Sequence, residues 1–202
     1  MASQSCPIDC FVAGTLVHTR SGPVPIEQIK VGDVVLSHPD QGGEPGYKRV
    51  VNTSVRQGQA VIRVIFGSDE DPDTEYSLFV TVDHPFWVEG VGWAPASRLR
   101  PASVLRLADG TFAEVLWVRP VFRTDRPNVG VALVDDGEEG VGREIDFDDM
   151  NYLDDVDIDE SLLDGTDKDP HFRTTVHNLD VEDFHTCHVG KAGVLVRAAD
   201  CK

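Results

Sequence analysis

Long apolar runs are missing from this chain, and so are the spacings that usually announce a metal or redox centre. Apolar residues make up 41% of its 202 residues, yet no stretch approaches the ~20 consecutive ones a membrane-spanning helix needs. The first residues, Met1-Ala-Ser-Gln-Ser-Cys6, have neither the charged nor the apolar region of a secretory signal. The expectation is a cytoplasmic protein, or a piece of an exported one whose signal lies elsewhere. Cysteine is scarce: Cys6, Cys10, Cys187 and Cys201 are the four, and no C-x-x-C pair occurs among them. Two disulfides would allow three pairings, but nothing else marks a small secreted scaffold. Basic residues are also short, at 18 against 35 acidic ones, for a net charge of −17. Most of that charge is local, because residues 135–169 hold sixteen acidic residues against Arg143 and Lys168, a balance of −14. So acidic a surface repels nucleic acid and anionic membrane. Neither is expected as a partner.

Sustained helical spacing is the next absence. In its place stand short β-branched and aromatic runs, such as Ala60-Val-Ile-Arg-Val-Ile-Phe66 and Tyr76-Ser-Leu-Phe-Val-Thr-Val82, which predict strands. Asp109-Gly110 between Val104–Leu107 and Thr111–Val118 predicts a hairpin. Strand-like sequence returns at Thr174–Val181 and Gly193–Val196. The chain is expected to be all-β. A faint repeat runs through it: Pro25-Ile-Glu-Gln-Ile-Lys-Val-Gly-Asp-Val-Val-Leu36 aligns without gaps on Pro95-Ala-Ser-Arg-Leu-Arg-Pro-Ala-Ser-Val-Leu-Arg106. Two similar halves would explain it. The match weakens where Ala102-Ser103 stands against Gly32-Asp33.

Residues from about 124 to 173 break this pattern. The run Ile145-Asp-Phe-Asp-Asp-Met-Asn-Tyr-Leu-Asp-Asp-Val-Asp-Ile-Asp-Glu160 is too charged to bury much surface. It reads as a solvated, mobile insertion whose removal would leave folding intact. Its Asp155-x-Asp157-x-Asp159 resembles the start of a calcium loop, but Glu160 and Thr166 stand where an EF-hand needs Gly and Glu. No metal or cofactor is expected.

Three signals carry chemistry. Cys10 opens Cys10-Phe-Val-Ala-Gly-Thr-Leu-Val17, Thr81-Val-Asp-His84 closes a strand, and His185 lies in Val181-Glu-Asp-Phe-His185-Thr-Cys-His-Val189. Taken singly, each is better read as a buried structural cysteine or an ordinary satisfied histidine. Their order and spacing resemble the Hint superfamily: inteins, bacterial intein-like domains, hedgehog autoprocessing domains and the pretoxin Hint domains of polymorphic toxins. The segment Pro25–Leu36 resembles a further block of that family, and Gly193–Val196 leads into its terminal block. The resemblance implies an all-β horseshoe of two pseudo-symmetric halves, with residues 1–9 as an N-terminal flank, 10–198 as the autoprocessing domain and 199–202 as a C-terminal flank.

The resemblance also implies a self-cleaving reaction. Cys10 would attack the Asp9 carbonyl in an N–S acyl shift, replacing the Asp9–Cys10 amide by a thioester. The substrate is then the flanking polypeptide, and water, a thiol or an amine accepts the acyl group. A free thiol, pKa ~8.5, is only a few per cent ionised at neutral pH, and a carboxylate at Asp9 opposes its ionisation. Help for the departing nitrogen therefore matters most. His84 would supply its proton, Thr81 would hold the scissile amide or its oxyanion, and His185 is the late-block histidine. Asp9 itself, expected to titrate near pH ~4, lies within five-membered-ring reach of the thioester carbonyl. The terminal block departs from the family. Arg197-Ala198 stand where the family has His-Asn, and alanine has no amide with which to cyclise. Splicing is expected to be absent. The competing expectation is a cleavage-inactive Hint fold serving as a structural or interaction module in a bacterial toxin. A disulfide or redox role for Cys10, with Cys6 or Cys187, is a third.

Overall fold

Period-two alternation along the longest strands sorts their side chains between two apolar cores. The computed structural model describes residues 9–198 apart from 41, 69–70 and 135–139. In chain order the strands are β1 (Phe11–Val12), β2 (Leu16–Thr19), β3 (Gly22–Pro25), β4 (Val34–Ser37), β5 (Gly46–Ser68), β6 (Asp71–Thr81), β7 (Pro85–Val88) and β8 (Gly92–Pro95). There follow β9 (Val104–Arg106), β10 (Phe112–Arg123), β11 (Val129–Leu133), β12 (Val141–Asp146), β13 (Asn151–Asp157), the short helix α1 (Glu160–Leu163), β14 (Arg173–Val181), β15 (Thr186–Val189) and β16 (Val194–Arg197). All recorded pairings are antiparallel. The predicted strands fall on β5, β6, β14 and β16, overrunning β6 by Val82 and β16 by Gly193, and the predicted hairpin joins β9 to β10 across Asp109-Gly110.

The 23-residue β5 is the spine, pairing in turn with β4, β14, β6 and β10. It bends where β14 steps from Thr174 to Val176 while β5 steps from Gln59 to Arg56. Gly58 sits in that bulge at φ +65°, a conformation glycine adopts without a Cβ penalty. Beyond the bend, Ile62, Val64 and Phe66 of β5, with Leu78 and Val80 of β6, face the main core. Val61 and Phe79 face a second cluster. Strand β1 and the residue before it divide the same way, Phe11 to the main core and Cys10 and Val12 to the second.

The faint repeat is structural. Strands β2, β3 and β4 are echoed by β7, β8 and β9, each set with a one-turn 3₁₀ helix at Ile26–Gln28 or Ala96–Arg98. Hydrogen bonds match pairwise. Gly32 donates to Val50 at 2.8 Å and Ala102 to Val115 at 2.9 Å; Lys30 donates to the Asp33 carboxylate at 2.8 Å and Arg100 to the Ser103 hydroxyl at 3.1 Å. The β15–β16 hairpin lies between the halves, Val189 against Val17 and Val196 against Phe86. Ala102-Ser103, the weak point of the alignment, does the same work as Gly32-Asp33 at some strain. Ala102 holds φ +65° where Gly32 holds +99°, a region that costs an L-residue ~1–2 kcal/mol. Since Ala102 is exposed, Ala102→Gly should stabilise the chain by about 1 kcal/mol, seen as a higher denaturation midpoint in urea.

The reading of residues 124–173 as a solvated, mobile insertion needs correction. The segment continues the sheet through β11, β12 and β13, and its apolar residues cover the second cluster. Ile145 and Phe147 pack with Cys10, Val12, Phe79, Val121 and Phe172. The Phe147 ring meets Phe79 edge-on at 5.1 Å and stacks on Phe172 at 4.5 Å. Met150 lies so close to Gly14 that a Cβ there would come within 2.9 Å of its Cγ. Charge did not prevent burial because it alternates with the apolar residues, leaving the acids on the wet face. Two of the three aspartates of the failed calcium motif are structural: Asp155 forms a fork with Arg143 at 2.5 and 2.8 Å, and Asp159 caps α1 through the Ser161 amide at 2.9 Å.

Candidate active site

β1 brings Cys10 to the site. Phe11 pairs with His177 of β14 and with Val80 of β6, which seats Cys10 beside Thr81 at 1% exposure. The Cys10 amide donates to the Thr81 hydroxyl at 3.0 Å, and the Thr81 amide donates to the Cys10 carbonyl at 3.0 Å. The hydroxyl thus sits on the nitrogen of the Asp9–Cys10 bond. His84 follows by turn geometry: its amide donates to the Thr81 carbonyl at 3.1 Å, so Thr-x-x-His is the first and fourth residue of a β-turn, the two positions it closes together.

The His84 ring is fully buried, 4.1 Å from the Phe11 ring and 5.8 Å from Phe86. Neither ring nitrogen has a hydrogen-bond partner among the described residues. Burial pushes its pKa down to about 3, so the ring is neutral above pH ~4. Asp9 is half-buried, and one carboxylate oxygen, Oδ1, is shielded from solvent with no hydrogen-bond partner among the described residues. Burial, and then the charge of Asp83, push this carboxyl up to about 6, while Arg197 pulls it back. The ordinary value near 4 expected from sequence does not hold.

Arg197 stands within electrostatic reach of Asp9. Pairing of β16 with β7, which begins one residue after His84, accounts for this. Arg197 also reaches Asp40 at 3.5 Å and lies over the Trp93 ring, 5.4 Å from its centre. His185 belongs to the C-terminal side. It holds φ +51°, places Nδ1 3.0 Å from Asp180 and accepts the Ala198 amide at 2.8 Å through its carbonyl. Nothing described brings its ring to Cys10. Cys187 is buried with its thiol pushed well above the usual range, which disfavours a redox role; Cys6 and Cys201, like residues 199–202, lie outside the described residues. Reading the sequence overlooked Asp83, inside the Thr-x-x-His block, and Asp40, Trp93 and Asp180, which only the fold connects. Among the described residues no group of three His, Cys, Asp or Glu has metal-binding geometry.

A near-continuous antiparallel sheet of two pseudo-symmetric halves, with Cys10 against a Thr-x-x-His turn and Asp9 within electrostatic reach of Arg197, defines the Hint class of self-processing domains. The model of the pretoxin Hint domain family matches residues 16–128, just over half of the chain. The chain belongs to that family. Among solved structures it is similar to the bacterial intein-like domain from Clostridium thermocellum, at 26% identity and TM-score 0.62, covering 95% of this chain and 99% of that one. It also resembles the gp41-1 intein, at 15% identity and TM-score 0.52 (93% and 97% covered). A DnaB intein from Synechocystis sp. PCC 6803 aligns at 11% identity and TM-score 0.53 (95% and 99% covered). These last two share the fold. No match is found among curated proteins.

Proposed function

We propose that this domain cuts its own backbone between Asp9 and Cys10, once per molecule. The Cys10 sulfur attacks the Asp9 carbonyl carbon, the C–N bond breaks, and a thioester and a free Cys10 amine result. The observation that carries this reading is the Thr81 hydroxyl 3.0 Å from the Cys10 nitrogen, with His84 three residues on. Thr81 steadies the nitrogen as it loses amide character. His84 starts neutral, so its N–H proton passes to the nitrogen while the ring recovers one from the thiol, and no charge builds up in the dry pocket. A placed proton donor of this kind contributes roughly 10²–10⁴ in rate. The thioester then passes to water, a thiol or an amine. The substrate is the domain's own flanking polypeptide; with a net charge of −17, neither nucleic acid nor an anionic membrane is proposed as a partner.

Incubation with excess dithiothreitol should release residues 1–9 and leave a chain beginning at Cys10, read by intact mass. Cys10→Ala should stay whole. Equal loss of residues 1–9 from both proteins would mean ordinary proteolysis. A folded parent that never releases them would favour an inactive Hint fold serving as a structural module.

Splicing is not part of this function. Arg197 cannot relay a proton and Ala198 cannot cyclise. With Arg197→His and Ala198→Asn together, C-terminal cleavage after residue 198 should appear. Ala198 is buried, with its amide on His185 and its carbonyl accepting from Val181 at 3.0 Å, so the double variant must first be shown to fold. A folded double variant that remains uncut would remove this assignment of the terminal block.

A further inference from the structure

Asp9 is the one residue whose main chain and side chain both lie at the reacting carbonyl. Its Oδ1 is shielded from solvent and has no hydrogen-bond partner among the described residues. A carboxylate oxygen so placed is poorly solvated, and nothing described ties it down, whereas an exposed one would be blunted by water. The charged groups facing it are Asp83, from the turn after β6, and Arg197, from the end of β16. Arg197 is shared with Asp40. Opposite charges thus bear on Asp9 from two elements, the turn after β6 and the end of β16.

We infer that Asp9 is a second catalytic residue, whose side-chain carboxylate discharges the thioester by attacking the carbonyl of its own main chain. This rests on the thioester proposed above. Oδ1 bonds to the carbonyl carbon, the C–S bond breaks, and the Cys10 thiolate leaves and takes a proton from water. The product is a five-membered cyclic anhydride made of Asp9 alone, already free of Cys10, which water then opens to leave residues 1–9 with two carboxyl groups on Asp9. No oxidant or cofactor enters. Intramolecular attack of this kind supplies effective molarities of up to roughly 10⁵–10⁸ M when well oriented. It gives a domain lacking C-terminal chemistry a route to N-terminal release without an external thiol. Burial first, and then Asp83 and Arg197, set the pH at which it runs. Attack needs the carboxylate, and with the group pushed up to about 6 thiol-free release should rise through pH ~6 rather than ~4.

Hydroxylamine provides the test, because the two routes leave different linkages. Direct capture of the thioester gives only the main-chain hydroxamate of Asp9. Capture of the anhydride also gives the side-chain hydroxamate, which fragmentation of the released peptide distinguishes. The parent should yield both adducts. Asp9→Ala should yield only the first and should release residues 1–9 in plain buffer about tenfold more slowly or worse, while still being cleaved by dithiothreitol. Asp9→Glu, which must close a six-membered ring, should fall between them. Arg197→Gln should move the rise in thiol-free release to higher pH and Asp83→Asn to lower pH, a displacement that a purely structural role would not produce. A parent that gives only the main-chain adduct, with thiol-free release unchanged in Asp9→Ala, would overturn the role of Asp9 and leave the thioester standing. Folded variants that all resist dithiothreitol would remove the thioester and this step together.

Discussion

Deleting residues 135–169 and closing the gap with a short Gly/Ser linker should lower the melting temperature by roughly 10–20 °C, or leave the chain unfolded. The loop itself is not the reason, since doubling or halving a loop changes closure entropy by only ~0.6 kcal/mol. The reason is what the segment covers. It removes Ile145 and Phe147 from the cluster that holds Cys10 and Val12, and it removes Met150 from Gly14. Truncating one such ring, Phe147→Ala, should cost ~3–5 kcal/mol, against a total stability of ~5–15 kcal/mol for a typical domain. Cys10 should also become reactive toward a thiol-labelling reagent, with the label located by peptide mapping so that Cys6 and Cys201 do not confuse the result. Unchanged melting and a still-protected Cys10 would mean that the segment is an appendage after all.

Acid should unfold this domain well before its carboxylates are all protonated. His84 and His188 are both buried, at about 3 and about 4, desolvation being the main cause in each, against ordinary values near 6.5. His188 is held by the Gly193 carbonyl at 2.8 Å. Both pKa values are depressed in the folded state, so between pH ~6.5 and ~4 the unfolded chain binds the extra protons. Stability therefore falls as pH falls through that window, with a slope of up to ~2.7 kcal/mol per pH unit for two protons. The accumulated loss by pH 4 is on the order of 5 kcal/mol. Asp9 acts in the opposite direction, because a raised carboxyl is relieved by protonation; half-exposed, it offsets only part of this. Urea midpoints should be level above pH 7, drop between pH 6 and 4.5, and drop less steeply in His84→Gln or His188→Gln. Midpoints that stay flat down to pH 5 would show that the unfolded chain gains no proton from these two rings.

The sequence by itself determined whatever depends on neighbours along the chain. Alternating Val, Ile and Phe made β5 and β6 legible because a strand's faces are set by odd and even positions. Thr81-x-x-His84 was legible because a β-turn always joins its first and fourth residues. The repeat was legible because Pro25 and Pro95 start the same local path, each leading into a 3₁₀ turn at Ile26 or Ala96. Tertiary structure alone decided what depends on who comes to lie nearby. Ile145 and Phe147 look stranded among aspartates until β12 is laid beside β11 and their side chains meet Phe79 and Phe172. His84 reads as an ordinary histidine until Phe11 and Phe86 seal it from water and depress its pKa. Asp9 reads as an ordinary carboxyl until burial raises its pKa and Asp83 and Arg197, 74 and 188 positions along the chain, add their opposing charges. Local spacing fixes local geometry, whereas desolvation and charge depend on distance in space, which only the closed sheet defines.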